Sequence, residues 1–251
     1  APGCIIEGDD GKIAIMMPGP PREMKPMFSD QVMDYLRRFS DEIIVSKTMR
    51  VVGIGESAIE DKLRPMMVSM TNPTIAPYAK DCGCTIRVTA KVHDEKEADA
   101  LIDPVIEKIT DILGIGVYGV DIPSLEAHMV DLLRTHGKTV AFAESCTGGL
   151  CAKRITDVPG SSDVLSMSLV TYSNEAKEQL LGVRHSTIQK YTEVSRQCAV
   201  EMARGLYQRC NADITVGITG YAGPTGGTQE TPTGTVFISV YDGSRCYVRK
   251  V

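Results

Sequence analysis

The spacing of apolar and polar positions changes character near the middle of the chain, and each half predicts its own order of elements. Residues 12–17 form a short apolar strand stopped by Pro18-Gly19-Pro20-Pro21, a cluster that breaks regular structure. Beyond it Met24, Phe28, Val32 and Leu36 recur every fourth residue, with Arg22, Glu23, Lys25, Asp30 and Arg37 at other positions. That spacing predicts an amphipathic helix, its first turn shortened or kinked by Pro26. Strands are predicted at 42–52, 74–78 and 85–93 and helices at 56–67 and 96–113. The resulting order, β-α-β-β-α, is that of a small α+β domain.

From Pro123 onward the rhythm is strand, helix, strand, helix. Ser124 is suited to cap a helix over 125–135 that Gly137 closes. Strands follow at 138–143, 166–172, 213–219 and 234–241, with helices at 148–155, 175–181 and 195–210. Such alternation predicts an α/β sandwich domain with helices on both sides of a sheet and ligands at the carboxyl ends of its strands.

Composition narrows the classes. The 251 residues carry 27 Lys and Arg against 32 Asp and Glu, a net charge of -5 that argues against a protein built to wrap nucleic-acid phosphates. With 43% hydrophobic and 24% charged residues the chain is expected to fold. No apolar run approaches the roughly 20 residues that span a bilayer, and no signal peptide is evident, so the expectation is a soluble cytoplasmic protein with no membrane partner. Eight cysteines are scattered without the dense spacing of a disulfide scaffold. Cys82-Gly83-Cys84 is the one close pair; with no second pair or nearby His it reads as loop thiols rather than a zinc site. The chain opens Ala1-Pro2-Gly3 and stops at Val251 inside an alternating stretch, which suggests a processed piece or a part of something longer.

Three strand ends carry candidate chemistry. After 138–143 comes Glu144-Ser145-Cys146-Thr147-Gly148-Gly149, a hydroxyl on a turn and two glycines at a helix opening, where free backbone N–H groups suit an oxyanion or phosphate. After 166–172 comes Ser173-Asn174-Glu175-Ala176-Lys177, in which Asn174 caps the next helix and Lys177 meets the positive end of its macrodipole. That position disfavours the ammonium form, so Lys177 is a candidate base. After 213–219 comes Gly220-Tyr221-Ala222-Gly223-Pro224-Thr225-Gly226-Gly227-Thr228, whose glycines allow close approach of backbone to a ligand. Each has a plain alternative: Ser145 and Thr147 as helix caps, Lys177 as a solvated helix residue, Tyr172 as a half-buried strand residue, the glycine loop as a turn. Their conjunction favours a site.

The stretch Ala143-Glu144-Ser145-Cys146-Thr147-Gly148-Gly149-Leu150 resembles the signature of the CinA C-terminal domain. Matching stretches follow in order at 156–162, at Thr171-Tyr172-Ser173-Asn174-Glu175-Ala176-Lys177 and at 217–228. Upstream, Met17-Pro18-Gly19-Pro20-Pro21-Arg22-Glu23-Met24 resembles a late segment of the family's molybdopterin-binding-like N-terminal domain, and Gly53-Ile54-Gly55-Glu56-Ser57 the start of its middle domain. The resemblance implies three segments: 1–40, the remnant of an α/β N-terminal domain; 41–120, a small α+β domain; and 121–251, an amidohydrolase domain.

The activity implied is hydrolysis of nicotinamide mononucleotide to nicotinate mononucleotide and ammonia, in pyridine-nucleotide recycling. On the family's pattern Ser145 is the nucleophile and Lys177 its partner, with Tyr172 beside them. Glu144, Thr147, Gly148, Gly149, Asn174, Thr219, Gly220, Gly223, Gly226 and Gly227 are the expected substrate-binding positions. In the reaction drawn from these residues, backbone N–H groups of 147–149 hold the oxyanion and the loop 222–228 holds the ribose phosphate. No cofactor or metal is required, and a homodimer or higher homo-oligomer is implied. Two alternatives remain. One is the ADP-ribose pyrophosphatase of the family's N-terminal domain, which would need a divalent metal. The other is a non-catalytic adaptor, for which the lack of a Gly-x-x-Gly clamp at 53–56 is unfavourable. Tyr221 stands where a smaller Ile or Val is expected, narrowing the pocket or adding a hydroxyl.

Overall fold

In the computed structural model, which describes residues 2–39, 41–80, 83–224 and 226–251, the chain divides between Asp121 and Ile122 into two units. Cys82 of the close cysteine pair and Thr225 of the glycine loop lie outside the described residues. The fold is mixed α/β, as the patterning predicts. Among the described residues no helix is long and apolar enough to cross a membrane.

The first unit opens with an antiparallel pair, β1 (Cys4–Glu7) and β2 (Ile13–Met16). A helical run follows: α1 (Pro21–Met27), a π-type turn over Phe28–Val32, and α2 (Met33–Leu36). Pro26, which has no N–H to give, sits just before the point where the regular ladder gives way to the π-type turn. Then come β3 (Ile43–Val51), α3 (Glu56–Ser69), β4 (Thr74–Lys80), β5 (Gly83–Val92), α4 (Glu95–Leu113) and β6 (Val117–Val120). The sheet runs β4-β5-β3-β6, antiparallel throughout. Cys84, Ile86, Val88, Ala90 and Val92 alternate along β5 onto one face and pack against Ile59 and Leu63 of α3 and Ile102 and Ile109 of α4. β6 extends the predicted order by one edge strand; at four half-buried residues it is too short to leave a period of its own.

The second unit contains α5 (Leu125–Thr135), β7 (Val140–Glu144), α6 (Leu150–Thr156), β8 (Leu165–Val170), α7 (Asn174–Leu181), α8 (His185–Tyr191), α9 (Arg196–Arg209), β9 (Ile214–Gly220), β10 (Val236–Tyr241) and β11 (Cys246–Lys250). Its sheet runs β11-β10-β9-β7-β8, with β7 parallel to both β8 and β9 and the far edge antiparallel. All five residues of β7 are buried, the mark of a strand covered on both faces. Val140 and Phe142 face a core with Val130 and Leu133 of α5 and Ile155 of α6, while Ala141 and Ala143 face Leu181 of α7 and Met202 and Leu206 of α9. The small residues on the second face let α9 lie close. A Cβ on Gly217 of β9 would come within 2.5 Å of the Ala199 carbonyl oxygen, so only glycine fits there.

Two predicted boundaries shift with consequences for the site. β8 ends at Val170, which puts Tyr172 in the loop beyond the strand rather than in it. The helix expected from 148 begins at Leu150, because Gly148 and Gly149 take positive φ and form the turn that precedes it.

Candidate active site

β7, the middle one of the three parallel strands, has β8 on one side and β9 on the other, and the chain visits them in that order. Loops leaving the carboxyl ends of β7 and of its two neighbours therefore part in opposite directions, which opens a crevice at this end of the sheet. Register places Glu144 level with both Val170 and Ile218, so the three loops start side by side. They, with the segment before α9, enclose a cavity of about 270 Å³ lined by Ser145, Cys146, Tyr172, Lys177, Glu193, Val194, Gly220, Tyr221, Ala222, Gly223 and Gly226.

Ser145 and Lys177 meet there. Lys177 Nζ is 3.1 Å from Ser145 Oγ, 3.0 Å from the Thr171 carbonyl oxygen and 2.9 Å from that of Tyr172. The helix that carries Lys177 is capped by Ser173, whose hydroxyl accepts from the Ala176 N–H, not by Asn174 as the sequence suggests. Asn174 is the first helical residue, half-buried and outside the cavity lining. From the fourth position Lys177 folds back over the first turn toward the positive end of the helix.

Lys177 is 0% exposed, and all three of its neighbours are uncharged oxygens. Burial holds its amine below the ordinary lysine value of about 10.5, against the opposing pull of Cys198, Glu193, Cys146 and Glu175. A neutral amine fits this shell well: its two N–H bonds satisfy the carbonyls of Thr171 and Tyr172, and its lone pair is left for the Ser145 hydroxyl. The arrangement can take a proton from Ser145 and return it to a leaving group.

The helix opening after Ser145 differs from the expectation of free amides. Glu144, 0% exposed, turns its carboxylate into the N-terminus of α6, where Oε2 accepts from Gly149 N–H at 3.1 Å and Cys151 N–H at 3.0 Å and Oε1 from Ala152 N–H at 3.0 Å. A buried carboxylate needs these donors, and none of the three is left for a ligand. Gly148 N–H donates to the Ser145 carbonyl at 3.1 Å. Glu144, Gly148 and Gly149 thus build the turn that presents Ser145, and none lines the cavity. Among the described residues, the hydroxyls of Thr147 and Thr171 are the buried side-chain polar atoms without a hydrogen-bond partner, and each lies on a segment supplying the site.

Of the remaining predicted positions, Gly220, Gly223 and Gly226 line the cavity and Tyr172 reaches it from the outside with 74% of its surface exposed. Thr219 is buried, its hydroxyl donating to the Glu193 carbonyl at 2.7 Å. Gly227 packs instead on the return of its own loop: a Cβ there would lie 2.2 Å from Thr233 N. The residue that patterning missed is Glu193, between α8 and α9, whose Oε1 accepts from the Tyr221 hydroxyl at 3.1 Å. No periodic signal marks it, although a carboxylate just ahead of the Ser195 helix cap was legible. A second cavity of about 580 Å³, lined by Lys190, Tyr191, Thr192 and residues 228–231, shares Tyr221 with the first.

Residues 122–251 match the model of the CinA C-terminal domain, and residues 46–119 that of the damage-inducible protein CinA KH domain. A competence-damage inducible protein of Clostridium kluyveri is 47% identical over 251 residues, which cover 100% of this chain and 61% of that protein. A CinA-like protein of Kosmotoga olearia is 45% identical over 251 residues, with the same coverage of 100% and 61%. The chain thus spans about three fifths of the length of these relatives. Among solved structures, a competence/damage inducible protein of Agrobacterium tumefaciens is 38% identical, with 50% of this chain and 77% of that one covered at a TM-score of 0.49. A family match across the whole second unit, joined to this identity along the full chain, makes the protein a member of the CinA family.

Proposed function

We propose that residues 122–251 hydrolyse the carboxamide of a nicotinamide nucleotide, releasing ammonia and the corresponding nicotinate nucleotide. The observation that carries this reading is a buried lysine amine 3.1 Å from a serine hydroxyl, at the carboxyl ends of the strands and, among the described residues, with no charged partner at hydrogen-bond distance. Neutral Lys177 takes the Ser145 proton as Oγ attacks the amide carbon. The ammonium so formed gives that proton to the departing nitrogen, the C–N bond breaks, and ammonia leaves an acyl-serine. Water then attacks the ester with Lys177 again accepting a proton, which returns to Ser145 Oγ as the acid is released. With the Gly148 and Gly149 amides engaged, neither is left for the oxyanion, whose donors come from the groups that line the cavity. The neighbouring cavity, with Lys190 on its wall, accommodates the ribose phosphate.

The test is a coupled ammonia assay on nicotinamide mononucleotide, run with and without chelator. Turnover is expected to survive chelation, and Ser145→Ala is expected to lower kcat by about three orders of magnitude or more. Near-normal release by that variant removes Ser145 as nucleophile. Metal-dependent release of AMP from ADP-ribose, without ammonia, would point to the family's other activity.

A further inference from the structure

The segment between α8 and α9 is built at the cost of backbone strain. Thr192 has φ 67° and ψ 166°, a region that glycine enters freely and a β-branched residue does not. Three hydrogen bonds hold the bend: Thr192 N–H to the Ile188 carbonyl at 2.9 Å, the Ser195 hydroxyl to the Thr192 carbonyl at 2.9 Å, and the Thr219 hydroxyl of β9 to the Glu193 carbonyl at 2.7 Å. Strain kept in place by its surroundings marks a position that function needs. What the bend delivers is the Glu193 carboxylate, on the wall of the cavity that holds Ser145 and Lys177.

Glu193 is half-buried, and its carboxylate accepts from the neutral Tyr221 hydroxyl at 3.1 Å. Tyr172 and Tyr221 line the same cavity. A carboxylate that shares a cavity with two tyrosines is a seat for a delocalised cation, which gains from the charge and from the aromatic side chains together. The opposing pull of Glu193 on the buried Lys177 amine is the same negative field felt across the cavity.

We propose that Glu193, fixed by Tyr221, selects for substrates whose amide-bearing ring is positively charged, by holding the pyridinium of the nucleotide while Ser145 attacks its carboxamide. The identity of the ring rests on the amidase reading; the preference for a flat cation in this cavity does not.

The experiment uses the full chain and two ligands that differ in ring charge: nicotinamide mononucleotide and its 1,4-dihydro form, which keeps the amide and the ribose phosphate but has a neutral ring. Binding is measured by calorimetry on a Ser145→Ala background, so that turnover is not required. Adding Glu193→Gln is expected to weaken the cationic ligand at least tenfold and to leave the dihydro ligand within twofold. In the Ser145 enzyme, Glu193→Gln is expected to raise KM for the cationic substrate about tenfold with kcat within threefold, at a pH above the rising limb of activity. Tyr221→Phe, which frees the carboxylate without removing it, is expected to act in the same direction with smaller effect, and carries the test if Glu193→Gln does not fold. Equal weakening of both ligands overturns the proposal, as does a fall in kcat with KM unchanged, which would make Glu193 a modulator of Lys177. An enzyme that releases ammonia but is indifferent to Glu193→Gln refutes the proposal and leaves the amidase standing. Charge-selective binding lost with Glu193, in a protein that releases no ammonia, sustains it and refutes the amidase.

Discussion

Lys177 shows how a single side chain changes its chemistry when its surroundings hold only uncharged oxygens. In water the ammonium is stabilised by solvent; here it would have two carbonyls and a hydroxyl, and burial favours the free amine. The groups facing it from the packed elements are Cys198 of α9, Glu193 before that helix, Cys146 after β7 and Glu175 on its own helix, and all of them pull toward the protonated form. Burial also pushes the Cys198 thiol up to about 12, so it is neutral through the working range and the standing pull comes from the carboxylates Glu193 and Glu175. The sign for activity follows: on the proposed reaction the unprotonated amine is the active form, so kcat should rise with pH on a limb whose midpoint lies below the ordinary 10.5. The sign for stability is the same. Because the unfolded chain binds this proton more tightly than the folded one, the penalty of burying Lys177 lessens as pH rises from the folded value to 10.5. A pH–kcat profile on nicotinamide mononucleotide checks the first statement; a midpoint at or above the ordinary value would show that Lys177 is not held neutral.

At the scale of elements, the turn between β7 and α6 explains why the site has its shape. Glu144 alternates out of the strand period at its last residue and becomes the anion that the N-terminus of α6 would otherwise draw from solution. Replacing it by Gln keeps the volume but removes the charge from three buried amide contacts, and we expect a loss of about 2–3 kcal/mol in urea unfolding. A loss under about 0.5 kcal/mol would mean that solvent satisfies those amides instead. How much of this was legible depends on which elements have a period. β7, β9 and the apolar stripe of α9 announce themselves because their buried positions recur, and the strand ends then place Ser145 and the start of the helix that carries Lys177 side by side. α8 was not predicted, since among its seven residues Thr187 alone is buried and no apolar face marks it. Glu193 lies two residues past the end of α8 and leaves no period of its own. The inward turn of Glu144 and the positive φ of Thr192 are properties of tertiary packing that no local spacing encodes.

At the scale of the whole molecule, the distribution of buried side chains decides which part of the chain can work alone. The core of the first unit is drawn from residues 49–113, whereas the two cores that sandwich the second sheet are drawn from residues 130–218. Every residue lining the candidate site lies between 145 and 226. Each unit therefore has a core of its own, and the candidate site belongs to one of them. Residues 122–251 expressed alone should fold cooperatively and release ammonia from nicotinamide mononucleotide with kcat/KM within about threefold of the full chain, a difference of under 1 kcal/mol in transition-state stabilisation. The full chain, with its separate cores, should unfold in two calorimetric transitions, and the isolated second unit should reproduce one of them at an unchanged temperature. An isolated unit that folds, as judged by that transition, yet loses more than tenfold in kcat/KM would assign the first 121 residues a direct part in catalysis. One that fails to fold would show that the cores are energetically coupled despite drawing on separate stretches of sequence.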